Sequence, residues 1–295
     1  MAAGLVALGI PVDILHACLI AVLQGATELF PVSSLGHAVV VPALLGWGLD
    51  EHGAAFLPFL VLLHLGTAAA LLLYFWRDWW ALAAGCLGFS DPHRRRESWH
   101  VVMLLVVATI PAVVLGAALE HFFQRLFGAP LIAAGFLAAN GVLLLIGEAL
   151  RGRVSEAPAR PIATLGVVDA LVIGLWQCLA LFPGLSRSGA TIVGGLLRGI
   201  DHAASARFSF LIATPIILGA TVKEVPKLLH AGIPAGVFQT AAIAAVVAGV
   251  VAFASTAFLM RYFADHDRLA LNPFAYYCLA FGSMSIGLLW FGVVL

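Results

Sequence analysis

Long apolar runs broken by short polar loops fill most of this chain, and their lengths set the expected elements. About 20 apolar residues cross a bilayer as a helix, because the hydrocarbon core is about 30 Å thick and each residue rises about 1.5 Å. Runs of that length predict spans at residues 53–75, 99–119, 128–150, 203–225, 233–262 and 273–295. Two other apolar segments behave differently. Residues 14–47 are interrupted by Gln24, Glu28, Pro31, Ser33, Ser34, Gly36 and His37, and residues 164–200 by Gln177, Pro183, Gly184, Ser186, Arg187, Ser188 and Gly189. The run after each break is about a dozen residues, roughly 18 Å of helix, too short to cross. Both segments read as re-entrant hairpins: helix in, irregular tip, helix out. Irregular backbone at membrane depth is tolerated only where protein or a water-filled cavity satisfies it, so the tips are candidate sites.

The order is hairpin plus three spans, twice. It fits one membrane domain over residues 1–295, with a first half at 11–150 and a second at 161–295. A hairpin returns to its own side and three spans cross an odd number of times, so the halves must have opposite orientation. That is an inverted-repeat plan, familiar from transporters. The tips also match: Leu29-Phe30-Pro31 before Ser33-Ser34, against Leu181-Phe182-Pro183 before Ser186-Arg187-Ser188, each preceded by a glutamine, Gln24 or Gln177. Chance recurrence of small residues and prolines is the weaker account of so matched an order. The expected fold is an all-α multi-pass membrane protein with six transmembrane helices and two re-entrant helical hairpins.

Composition narrows the function. Of 295 residues, 62% are hydrophobic and 10% charged, and the mean hydropathy of +1.06 excludes an ordinary soluble domain. Fifteen basic and fifteen acidic residues leave no excess to draw the chain onto nucleic acid. Four scattered cysteines, Cys18, Cys86, Cys178 and Cys278, indicate neither a disulfide framework nor a zinc site. Residues 1–10 lack a basic leader region, so no removable signal peptide is expected. On the expected topology, Arg77, Arg94, Arg95, Arg96, Arg151, Arg153, Arg160, Arg198, Arg207, Arg261 and Arg268 fall on one side, with Arg125, Lys223 and Lys227 on the other. The positive-inside rule puts the eleven arginines in the cytoplasm. The first hairpin then opens outward and the second inward.

Charged side chains inside apolar segments are costly and are functional candidates by default. Gln24 and Glu28 are spaced i, i+4 on one helical face, and His37 follows just past the bend. Arg187 sits in Pro183-Gly184-Leu185-Ser186-Arg187-Ser188-Gly189-Ala190-Thr191. That run offers close backbone approach, three hydroxyls, a planar guanidinium fork and a following helix N-terminus. Together these suit a phosphate. Glu28 and Arg187 also read as a buried ion pair locking the hairpins together, though this leaves His37 and the hydroxyls unexplained.

These segments resemble the undecaprenyl-diphosphatase (BacA/UppP) family of bacterial membrane phosphatases. The first match is Gln24-Gly25-Ala26-Thr27-Glu28-Leu29-Phe30-Pro31-Val32-Ser33-Ser34-Leu35-Gly36-His37, and the second is the run from Pro183 to Thr191. The resemblance covers nearly the whole chain, and it implies hydrolysis of a long polyprenyl diphosphate to the monophosphate in the bacterial inner membrane. It assigns catalysis to Glu28, His37, Arg187 and Ser34, with Glu28 and His37 as the acid/base pair. Substrate binding falls to Gln24, Ser33, Ser186, Ser188, Thr191 and Gly184. The nucleophile stays open among His37, Ser34 and water. A divalent cation, Mg²⁺ or Ca²⁺, would be held by Glu28. The partners are the lipid substrate and membrane lipids, with no nucleic acid, and a homodimer is compatible. The active site is expected to open to the extracytoplasmic side.

Three positions depart from the family pattern. Gln24 stands where many members carry Glu, which weakens a case for tight metal binding. Leu35 replaces a small hydroxyl residue. His64 stands where Gln is common, and a lone histidine in a span ranks below His37 as a catalyst. A transporter of lipid phosphate or a small anion is the rival reading. A catalytically silent lipid-binding homologue is a third. Glu28, His37 and the nearby serines favour the enzyme.

Overall fold

The computed structural model describes residues 14–47, 56–126, 128–154, 160–230 and 235–293, so the leader-peptide expectation for residues 1–10 lies outside the described residues. The chain is helical in the order α1 Ile14–Thr27, α2 Ser34–Leu44, α3 Phe56–Tyr74, α4 Trp76–Cys86, α5 Pro92–Ala118, α6 Glu120–Leu126 and α7 Pro130–Val154. There follow α8 Val167–Gln177 with a 3₁₀ turn at Cys178–Leu181, then α9 Arg187–Leu197, α10 His202–His230, α11 Ala235–Asp265 and α12 Asn272–Trp290. The valine and isoleucine content of these segments does not prevent helix, because in lipid every backbone group must be satisfied within its own segment. Where a helix starts in water it carries an aqueous cap. Asp91 accepts from the His93 and Arg94 N–H groups, both at 3.0 Å, with Pro92 in the first turn of α5.

Among the described residues, five helices are long and apolar enough to cross a bilayer: Pro92–Ala118, Pro130–Arg151, His202–Val222, Phe238–Asp265 and Asn272–Trp290. A sixth is counted if α3 and α4 form one span bent by 73°. The bend falls where the first expected span ends, and it leaves Trp76 and Trp80 of α4 exposed, as suits a headgroup-level helix. The apolar surface faces outward, with Val106, Val113 and Val114 on α5 and Val246 and Val250 on α11 all exposed. The helices flanking the two breaks, Ile14–Thr27, Ser34–Leu44 and Val167–Leu181, are apolar and short.

Packing is reciprocal between the halves of the chain. α1 lies along α11, α8 along α5, α3 against α10 and α7 against α12. The first helix of each short pair thus lies on the middle long helix of the other half, while the second helices, α2 and α9, both pack against α7. Between them runs one apolar core including Leu29, Leu71, Leu104, Leu137, Ile192, Phe208 and Phe263. Ion pairs gather loops that the charge pattern assigns to the arginine-rich side. Arg207 pairs with Asp78, Arg151 with Asp267 at 2.7 Å, and Arg160 and Arg198 with Asp169 at 3.1 and 2.5 Å.

Candidate active site

Pro31 and Pro183 supply no backbone N–H and push the preceding residue out of helical geometry, so the chain turns at both breaks. Each Leu-Phe-Pro step sets its half-buried phenylalanine among other rings. Phe30 stacks on Phe258 at 5.9 Å and meets Phe274 edge-on at 5.5 Å, while Phe182 meets Phe123 edge-on at 5.3 Å and Phe136 at 5.1 Å. Past the turns, Ser33 and Ser186 cap α2 and α9, accepting from Gly36 N–H at 3.3 Å and Gly189 N–H at 3.1 Å.

The tips touch each other. A Cβ on Gly36 would lie 2.9 Å from the Cα of Gly184, and one on Gly184 (φ +106°) would strike the backbone of α7, 2.3 Å from the Ala133 carbonyl oxygen. No larger residue fits there. Asn140 of α7, fully buried, bridges the two tips. Its Nδ2 donates to the Pro31 carbonyl at 2.8 Å and its Oδ1 accepts from Ser186 N–H at 2.9 Å. Ser188 Oγ donates to the Phe30 carbonyl at 3.0 Å.

Glu28 stands at this junction, buried, with both carboxylate oxygens engaged. Arg187 Nη2 donates to Oε1 at 3.3 Å. Oε2 accepts from Ser34 Oγ at 2.5 Å and Gln24 Nε2 at 3.0 Å, and faces His64 Nε2 at 3.2 Å. His64 Nδ1 donates to the Leu60 carbonyl at 2.7 Å. With Nδ1 donating to a carbonyl, Nε2 faces the carboxylate at 3.2 Å, a distance at which the two groups can share a proton beside the guanidinium.

A cavity of about 270 Å³ opens here, lined by Glu28, Ser33, Ser34, His64, Gln177, Ser186 and Arg187, with apolar walls that include Leu60, Val61, Ala112, Ile216, Ile217 and Ala220. A larger cavity of about 920 Å³ lies among Asp78, Arg94, Glu97 and Arg207 and contains none of the sequence candidates.

The candidates thus divide. Glu28, Arg187, Ser34, Ser33 and Ser186 come together at the cavity. His37 does not join them: its ring bonds to the Ser33 carbonyl and to Tyr277, and it is absent from the cavity wall. Thr191 Oγ1 is spent on the Arg187 carbonyl at 2.8 Å and Ser209 Oγ at 2.6 Å. Ser188 and Gly184 hold the tips rather than face the space. The sequence reading ranked His64 low and did not name Asn140 or Tyr277. A polar residue inside an apolar run was the available signal for Asn140. Nothing local to residue 64 announces a carboxylate 36 positions earlier in the chain.

The donor set bears on a metal. Among the described residues, no three His, Cys, Asp or Glu side chains cluster as a metal-binding group. What remains is the Glu28 carboxylate and the amide oxygen of Gln24, which is buried without a hydrogen-bond partner. One carboxylate with a neutral oxygen fits a hard cation that arrives on substrate phosphates, not a resident protein cage.

Comparison with known proteins follows the same lines. The family model described as bacitracin resistance protein BacA matches residues 17–284. The chain belongs to that family. It is an integral membrane protein by its helices and by this membership. It is 65% identical over 286 residues to an undecaprenyl-diphosphatase of Granulibacter bethesdensis, covering 94% of this chain and 97% of the relative. An undecaprenyl-diphosphatase of Acidiphilium cryptum is 61% identical over 279 residues, covering 94% of this chain and 99% of the relative.

Proposed function

We propose that this BacA-family protein hydrolyses undecaprenyl diphosphate, or a polyprenyl diphosphate of that class, to the monophosphate and inorganic phosphate. The observation that carries the reading is Glu28 of one tip, 3.3 Å from Arg187 of the other, beside Ser34 and His64 in a cavity with apolar walls. An anion headgroup on an apolar tail needs that combination. Its relatives' names agree, and they give the transporter alternative no support.

The chemistry follows from the contacts. Arg187 releases Oε1 of Glu28 and binds the terminal phosphoryl oxygens through its fork, aided by the N–H groups at the start of α9. Ser34 Oγ, already bonded to Glu28 Oε2 at 2.5 Å, attacks the terminal phosphorus. The Oγ–P bond forms, the bridging P–O bond breaks, and the hydroxyl proton passes to Glu28. Polyprenyl monophosphate leaves, and the proton held with His64 is available to it. Water then cleaves the phosphoserine, releasing phosphate and restoring Ser34. A Mg²⁺ or Ca²⁺ carried on the diphosphate would meet Glu28 and the Gln24 amide oxygen, and would supply Lewis-acid neutralisation of phosphoryl charge.

We further read the two short helix pairs as re-entrant hairpins of an inverted repeat, supported by their length and by the reciprocal packing of α1 on α11 and α8 on α5. On this reading the protein sits in the bacterial inner membrane with its arginine-rich loops cytoplasmic and the first hairpin open to the outside, a sidedness supported by the eleven-to-three bias of basic residues. Half-exposed Ala112 and Ile216 and exposed Ala220 border the cavity between α5 and α10, which suits a tail that stays in the bilayer. The test is release of phosphate from a C55 polyprenyl diphosphate by the purified protein in detergent. Turnover that is absent in the wild type, or retained in full by Ser34→Ala, overturns the reading or its nucleophile respectively.

A further inference from the structure

The first tip contains an imidazole that the mechanism above does not use. His37 is 1% exposed, and both its ring nitrogens have protein partners. Nδ1 lies 2.6 Å from the Ser33 carbonyl oxygen and so donates to it, which leaves Nε2 to accept from the Tyr277 hydroxyl at 2.8 Å. The rings of His37, Tyr277 and Phe281 lie within 6° of parallel, with centroids 5.1 to 5.7 Å apart. A ring held at both nitrogens and packed on two others is fixed in tautomer and in plane.

What that ring grips is the one strained residue of the tip. Ser33 has φ +70° and ψ 99°, a conformation that a residue with a Cβ rarely adopts. Its carbonyl takes the imidazole N–H, its hydroxyl caps α2, and its peptide leads into Ser34, whose Oγ meets Glu28 at 2.5 Å. A glycine at this position would need no such grip.

We propose that His37 and Tyr277 are positioning residues: Tyr277 fixes the imidazole, and the imidazole pins the Ser33 carbonyl so that Ser34 is aimed at Glu28. The proposal rests on the phosphatase reading, and wild-type phosphate release from a C55 polyprenyl diphosphate in detergent is measured first so that the two stand or fall separately. The diagnostic variant is His37→Asn, whose side-chain N–H takes the place of Nδ1–H but which does not titrate.

The expected result is that His37→Asn recovers at least about tenfold of the kcat lost in His37→Ala, with both limbs of the wild-type pH profile in place. Tyr277→Phe, which keeps the ring stack, lowers kcat by about threefold to tenfold with little change in KM and no movement of the limbs. In a Ser33→Gly background, the loss caused by His37→Ala shrinks at least severalfold, because the strain that the imidazole supports is gone. Three results overturn the proposal. One is a His37→Asn protein that is folded by thermal melting yet no more active than His37→Ala. Another is loss of a pH limb in His37→Asn, or a shifted limb in Tyr277→Phe, either of which makes His37 a proton carrier. The last is strict additivity of Ser33→Gly and His37→Ala, and it applies even if His37→Asn does not fold.

Discussion

At the first tip the capping serine, Ser33, carries the positive φ of +70°, whereas at the second the cap Ser186 is relaxed at φ −86° and the positive φ of +106° falls on Gly184. The rest of the two tips is closely matched, down to the half-buried, ring-packed phenylalanine after each leucine. The unmatched residues are the chemical ones. The first tip brings Glu28, Ser34 and, from α3, His64, groups that exchange protons or attack. The second brings Arg187, which does neither. On the proposed mechanism, two similar tips are loaded differently, the first for proton transfer and nucleophilic attack and the second for charge. Of the two tips, only the first strains a residue with a side chain, and on the proposed mechanism that is the tip whose hydroxyl is aimed, where local strain serves placement at a cost of about 1–3 kcal/mol.

The sharpest way to break this division is to change one residue on each side while keeping its shape. Glu28→Gln keeps an acceptor for Ser34 but removes the base, so kcat should fall on the order of 10³-fold. Arg187→Lys keeps the charge but loses the planar fork, and kcat/KM should fall by about 10²-fold. Gln24→Ala, which removes a donor to Glu28 and the neutral amide oxygen beside it but no titrating group, should cost less than either. Phosphate-release kinetics in detergent rank the three. A Gln24→Ala loss exceeding that of Glu28→Gln would reverse the assignment of the base.

That ranking also marks what the sequence made legible. Span lengths gave the helices, because in a bilayer length and apolarity are themselves the constraint. The polar breaks pointed to both tips, and Glu28, His37 and Arg187 stood out as costly groups within apolar runs, whereas Ser34 came only with the family resemblance. The sense of a side chain was not visible. Residue 37 is one helical turn past the cap Ser33, and only the direction in which α2 leaves that cap turns its ring toward Tyr277, 240 positions away in the chain. His64 and Asn140 depend likewise on which helices neighbour the tips, a tertiary fact without a local pattern. The 73° bend at residue 75 falls where the expected span 53–75 ends, but the separate helix Trp76–Cys86 beyond it has no local mark, since no proline or glycine stands at the bend.

A milder probe acts on the joint between the tips. Asn140 donates to Pro31 of the first and accepts from Ser186 of the second. Asn140→Asp keeps an acceptor for Ser186 N–H but sets a carboxylate oxygen against the Pro31 carbonyl, and Asn140→Ala loses both bonds. Each should lower kcat by about tenfold, with a lower thermal midpoint, since buried polar partners are left unpaired. If the melting temperature falls while kcat and KM are unchanged, the joint is structural only and the tips keep their register without it.

The smallest expected effect on activity comes from asking which side of the membrane each tip opens to. The two hairpins are read as opening on opposite faces, and on the positive-inside rule eleven arginines against three basic residues predict a cytoplasmic second mouth. Leu45, exposed at the end of α2, stands at the first mouth, and Ser90, just before the Asp91 cap, stands in the arginine-rich loops. In a background freed of Cys18, Cys86, Cys178 and Cys278, Leu45→Cys and Ser90→Cys should each change turnover by less than about twofold, as surface changes usually do. An impermeant thiol reagent should label Leu45→Cys in intact cells and Ser90→Cys only after lysis. Because Glu28 and His64 exchange protons through the mouth that is wet, external labelling of Leu45→Cys that also slows turnover would put the reaction on the outer face. Labelling of Ser90→Cys alone in intact cells would invert the chain and move the chemistry to the cytoplasm.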